Sequence, residues 1–107
     1  MKRDTIIEKA QKFAKLVNDK GIFVQQAYLF GSHAKNQADE SSDIDVCIVS
    51  PQLGKDLIDE MVLLDKIGDE IDSRIEPHPM SPSDFGEKYN FLAHEIKTHG
   101  IPLTFLP

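Results

Sequence analysis

The chain has 107 residues, 40% hydrophobic and 28% charged, a size and balance expected of one domain spanning 1–107 around one core. Its formal net charge of −6 argues against a surface that holds nucleic acid by itself, because such binding draws its affinity from clustered Lys and Arg. One cysteine, Cys47, excludes an internal disulfide, and no run reads as a signal peptide or reaches membrane-spanning length; the expectation is a soluble, cytoplasmic protein.

Thr5 with Glu8 three residues later reads as a capping box, and Ile6, Ala10, Phe13, Ala14 and Val17 recur at helical spacing, which predicts a helix over about residues 5–19. Ile22 to Phe30 is rich in β-branched and aromatic residues and predicts a strand. Gly31 breaks it, and Ser32 is a good N-cap for a short helix running toward Gln37. A polar loop follows to Ser42. From Asp43 to Val49 the residues alternate, with Ile44, Val46 and Ile48 on one face and Asp43, Asp45, Cys47 and Val49 on the other, the pattern of a second strand.

Leu57, Ile58, Met61, Leu64 and Ile67, with Ile71 beyond, form an amphipathic stripe that predicts the second long helix. Ser73 to His78 reads as a third strand, suited to a sheet edge by Pro77 and the following Pro79. Ser81 to Phe85 resembles a capped helix start, Phe91 to Lys97 a helix ended by Gly100, and Ile101 to Phe105 a last short strand.

Asp43 and Asp45 stand two apart on a strand, so their carboxylates leave the same face a few ångströms from each other. Such a pair is relieved by a proton or by a divalent cation, and Mg²⁺ prefers oxygen ligands of this kind. The plainer alternative is a solvated strand end, since Asp is common where loops meet strands. Gly31-Ser32 alone is an ordinary turn. Placed between a strand and a helix start, it offers backbone N–H groups and a hydroxyl to phosphate oxygens. Together the two features describe a site for a Mg²⁺-bound polyphosphate. His33, His94 and His99 lack metal-ligand spacing, and Cys47 inside an apolar run reads as a buried, inert thiol.

The stretch "FGSHAKNQADESSDIDVCIV" resembles the signature of the DNA polymerase β-like nucleotidyltransferases, and among them the minimal nucleotidyltransferases. The resemblance implies an α/β (α+β) fold: a small mixed sheet of about four strands packed with helices. It implies that Gly31, Ser32 and Lys35 bind the nucleotide, although Lys35 replaces the arginine often found there. It further implies that Asp43 and Asp45 hold Mg²⁺ in a two-metal site, with a third carboxylate on a later strand. Glu76 in "RIEPHP" is the candidate for that carboxylate and Asp72 the alternative. If Glu76 faces the pair, Arg74 and His78 share its side by period two; exposed edge-strand side chains are the plainer reading of both.

The implied activity is transfer of AMP from ATP to a hydroxyl. Minimal members typically act as antitoxins that adenylylate a tyrosine of a HEPN-type toxin, so such a toxin is the expected partner, with a site completed at a homo-oligomer interface as a further option. The alternatives are a non-catalytic binding module that keeps the fold, and an enzyme acting on a small-molecule or RNA hydroxyl.

Overall fold

Alternation along one central strand sorts the fold into two apolar layers. The computed structural model describes residues 3–105, in the order α1 (Arg3–Asp19), β1 (Gln26–Phe30), β2 (Ile44–Val49), α2 (Leu57–Asp69), β3 (Ile75–Met80), α3 (Pro82–Phe85), α4 (Phe91–His99) and β4 (Ile101–Pro102). The four strands form one mixed sheet in the order β3-β2-β1-β4. β1 runs antiparallel to β2 and β4, while β2 and β3 are parallel. Ile44, Val46 and Ile48 of β2 meet Ile6, Phe13 and Val17 of α1 and Leu64 and Ile67 of α2. Cys47 and Val49 turn to the opposite face, where Phe30, Met80, Phe85 of α3 and Ala93 and Ile96 of α4 close a second core. Both faces of β2 are therefore covered, which is why its apolar residues run almost unbroken.

Helix ends follow local chemistry. Asp56 caps α2 by accepting from the Asp59 N–H at 3.2 Å, and Ser81 and Asn90 cap α3 and α4 in the same way. Gly100 ends α4 where that chemistry placed a stop, and β4 pairs Ile101 with Leu29. None of the helices described is long and apolar enough to cross a membrane.

Several expectations are corrected, among them the last strand, which ends at Pro102 and not at Phe105. Thr5 lies inside α1 rather than at its cap, because the helix is already formed at Arg3; the guanidinium of Arg3 anchors that end by donating to the Ala34 carbonyl at 2.8 Å. The segment before β1 is not strand until Gln26, since the Val24 N–H is taken by Asn18 Oδ1 at 3.1 Å. β3 begins at Ile75 and reaches Met80, two residues later than its sequence suggests, because the Ile75 N–H closes a turn onto the Asp72 carbonyl. Of the stripe on α2, only the C-terminal half is buried: Ile58 is 77% exposed, and Leu57, Met61, Val62 and Leu63 are also largely open.

Candidate active site

β1 delivers the chain to the site at Phe30 and then turns sharply. Gly31 has φ +74°, and a Cβ built on it would overlap the Asp45 carboxylate, so glycine leaves open the space that this carboxylate fills. The short helix expected from Ser32 does not form. A turn takes its place, closed by Lys35 N–H to Gly31 O at 3.1 Å and Gln37 N–H to Ser32 O at 2.9 Å, with Asn36 at φ 61° ending any helical path. Among the described residues, the backbone N–H groups of Ser32, His33 and Ala34 have no acceptor, as in the first turn of a helix. His33 is buried and sits 3.4 Å from the Ser42 carbonyl, which ties the two ends of the polar loop together beside the strands.

The carboxylates converge through sheet register. Phe30 pairs with Asp45, and Asp45 pairs with Glu76 across the parallel ladder, so both acids leave the α4 side of the sheet at the same level. His78 follows on that side of β3. Its Nε2 lies 3.2 Å from Asp45 Oδ1 and 3.9 Å from Glu76 Oε1, and its ring packs edge-on against Phe30 with centroids 4.8 Å apart. Asp43 immediately precedes β2, is exposed, and stands near enough to the Glu76 carboxyl to act on it.

Burial pushes the Glu76 carboxyl above the ordinary glutamate range; the Asp43 hydrogen bond and the Asp45 charge add to this, and His78 opposes it. Facing carboxyls that resist ionising together are the donor set that a divalent cation relieves, so the residues present fit such an ion. Asp45, Glu76 and His78 each offer one ligand atom, all within 4.8 Å of one another.

The remaining residues singled out from sequence lie as follows. Asp72 is turned away into a cluster with Lys9 at 2.6 Å and Arg74 at 2.9 Å, and these cations, Arg74 foremost, hold its carboxyl far below the usual range. Arg74 also donates to the Glu40 carbonyl at 3.0 Å and so braces the polar loop. Lys35 forms an ion pair with Glu95 of α4. Burial pushes the Cys47 thiol up to about 12, which leaves it inert. His78 is the residue that sequence reasoning undervalued; the signal was its two-residue spacing from Glu76. Beside the cluster, Met61, Val62, Asp65, Glu76 and Pro77 line a groove of about 280 Å³ that runs from the open face of α2 to Glu76.

The Nucleotidyltransferase domain family matches residues 10–98, a span that takes in both strands of the site, the turn between them and Glu76. The chain belongs to that family. Three solved structures share its fold. A candidate nucleotidyltransferase from Sulfolobus solfataricus is 18% identical, with a TM-score of 0.63 over 77% of this chain and 72% of its own. A chain of a toxin–antitoxin complex with AMP-PNP is 23% identical, with a TM-score of 0.62 over 91% of this chain and 73% of its own. A mutant form of the toxin–antitoxin pair MntA–HpeT is 20% identical, with a TM-score of 0.58 over 99% of this chain and 75% of its own. No curated protein matches the chain significantly. The mixed four-stranded sheet with helices on both faces is thus the nucleotidyltransferase fold, as the sequence signature implied.

Proposed function

We propose that this nucleotidyltransferase moves AMP from ATP to a tyrosine hydroxyl of a partner toxin of the HEPN type. The observation that carries the reading is the meeting of Gly31, Asp45 and Glu76: a turn with available N–H groups sits within contact of a carboxylate cluster. The N–H groups after Gly31 and the Ser32 hydroxyl would hold the β- and γ-phosphates, with Lys35 contributing a point charge once drawn from Glu95. Asp43, Asp45 and Glu76 would hold divalent cations, Mg²⁺ by preference for oxygen donors. Bound there, such cations supply charge stabilisation for the attacking and leaving oxygens of an in-line transfer. Glu76 would complete the acceptor-side ion and help to take the proton of the acceptor hydroxyl.

Support for a protein acceptor comes from the groove beside Glu76, whose walls are the exposed apolar residues Met61 and Val62. The structural neighbours named as toxin–antitoxin complexes, one with an ATP analogue, favour both the nucleotide and the class of partner. The test is incubation with ATP labelled at the α-phosphate, Mg²⁺ and the helical protein encoded beside this one. Label on a tyrosine of that neighbour, absent with Asp45→Asn, supports the reading. Label on an RNA or a small molecule instead overturns it.

A further inference from the structure

The carboxylate cluster contains a nitrogen donor that an oxygen-only Mg²⁺ site does not require. Nε2 of His78 lies 3.2 Å from Asp45 Oδ1 and 3.9 Å from Glu76 Oε1. Around an octahedral ion with bonds of about 2.1 Å, adjacent donors stand about 3.0 Å apart and opposite ones about 4.2 Å. The two contacts of the nitrogen lie in that range, and the three donor atoms as a set lie within 4.8 Å, near enough to draw in around one ion. A hydrogen bond accounts for the shorter contact, and the two-residue spacing on β3 brings the Glu76 carboxylate to the same nitrogen, so three donors face one point.

Position and packing fix the ring. His78 stands on β3 two residues after Glu76, next to Cys47 in the ladder, and the edge-on contact with Phe30 holds the imidazole upright over the sheet. The side chain of His78 is 22% exposed and that of Asp45 21%, so an ion between them would be shielded on the protein side and open to substrate on the other.

We infer that His78 is a direct ligand of the acceptor-side cation, so that Asp45, Glu76 and His78 form a mixed nitrogen–oxygen site favouring Mn²⁺ over Mg²⁺. The inference rests on the nucleotidyltransferase reading of the site and adds a ligand and a metal preference to it. The 3.2 Å contact with Asp45 is made by the same ring nitrogen, Nε2, whose lone pair would face the ion. Imidazole binds first-row transition ions far better than it binds Mg²⁺, whereas carboxylates serve both.

The experiment is Mn²⁺ titration of the full chain without nucleotide, followed by electron paramagnetic resonance, on wild type, His78→Asn and Asp45→Asn. Far-UV circular dichroism and Tm establish that each variant is folded. Three results together support the inference: a ¹⁴N coupling on bound Mn²⁺ in wild type, its disappearance in His78→Asn, and a loss there of about tenfold or more in Mn²⁺ affinity with Mg²⁺ affinity little changed. Mn²⁺ binding that depends on Asp45 but shows no ¹⁴N coupling overturns it, leaving His78 as a hydrogen-bond partner of Asp45 and the carboxylate site intact. Failure of folded wild type to bind Mn²⁺ at millimolar concentration overturns both the inference and the metal-site reading.

Discussion

Gly31 and Asp45 are packed so closely that the carboxylate of one occupies the space where the other would carry a side chain. The first strand's end and the second strand's acid are thereby one structural unit. Gly31→Ala should be costly twice over. The positive φ alone disfavours alanine by about 1 to 2 kcal/mol, and the methyl group must also displace the Asp45 carboxylate. The expected result is a lower Tm by differential scanning calorimetry and a loss of transfer of about a hundredfold or more, since the displaced acid no longer meets Glu76. An alanine variant with wild-type transfer would show that the contact is incidental.

Glu76 should make the free protein less stable as pH rises. Its carboxyl is held above the ordinary glutamate value in the folded state, chiefly by burial, so the folded form binds that proton more tightly than the unfolded form does. Below the ordinary value both states are protonated and there is no penalty. Between the ordinary value and the raised one the penalty grows, and above the raised one it is fully present. Glu76→Gln should therefore raise Tm at pH 7 and lose that advantage near pH 4, measured without divalent cations. The side chain is 46% exposed, so solvent screens the effect and the sign is the prediction.

Asp72 should behave as a structural acid. Its bonds to Lys9 and Arg74 join α1, the end of α2 and the start of β3. Asp72→Asn should cost about 1 to 3 kcal/mol in urea unfolding while leaving nucleotide binding intact. The depressed carboxyl gives the opposite pH signature to Glu76: stability present above the ordinary aspartate value and lost as pH falls from there toward the folded one. A catalytic collapse in a folded Asp72→Asn variant would reassign the third carboxylate.

Val62→Asp tests the protein acceptor. Val62 is 52% exposed, so the change should leave the unfolding free energy within about 0.5 kcal/mol of wild type. Placing a charge in the groove beside Glu76 should lower transfer to a protein partner about tenfold or more while the thermal shift produced by Mg²⁺ and ATP stays the same. Equal losses of both would place Val62 in nucleotide binding instead.

Alternation from Asp43 to Val49 was enough to locate the central strand, its two faces and the side on which Asp45 emerges, because a period of two leaves little freedom once both faces are buried. Gly31-Ser32 likewise marked a break after β1. What followed the break was not legible: Ser32 is as good a cap as any, but Asn36 in the left-handed region and the anchoring of Ala34 by Arg3 decide for a turn. Both are tertiary facts. His78 looked like an edge-strand side chain because its two-residue spacing from Glu76 tells only once Glu76 is known to pair with Asp45. Parallel pairing of β2 with β3, which puts Glu76 beside Asp45, depends on the path of α2 and not on either strand's sequence. The α2 stripe misled for a related reason, since periodicity shows which residues share a helix face but not how much of that face a neighbour covers.

The prolines of β3 limit how this sheet can grow. Arg74 and Met80 give their carbonyls to β2, so the even-numbered residues carry the ladder and Pro77 and Pro79 fall where an N–H would point outward. Proline has no N–H to give, and the outer margin of the sheet is missing two successive donors that an added strand would need. A visiting chain cannot zip onto this edge as a fifth strand. The margin next to Glu76 is thereby reserved for recognition by side chains, and crowding at high concentration should not convert it into a seam for self-association.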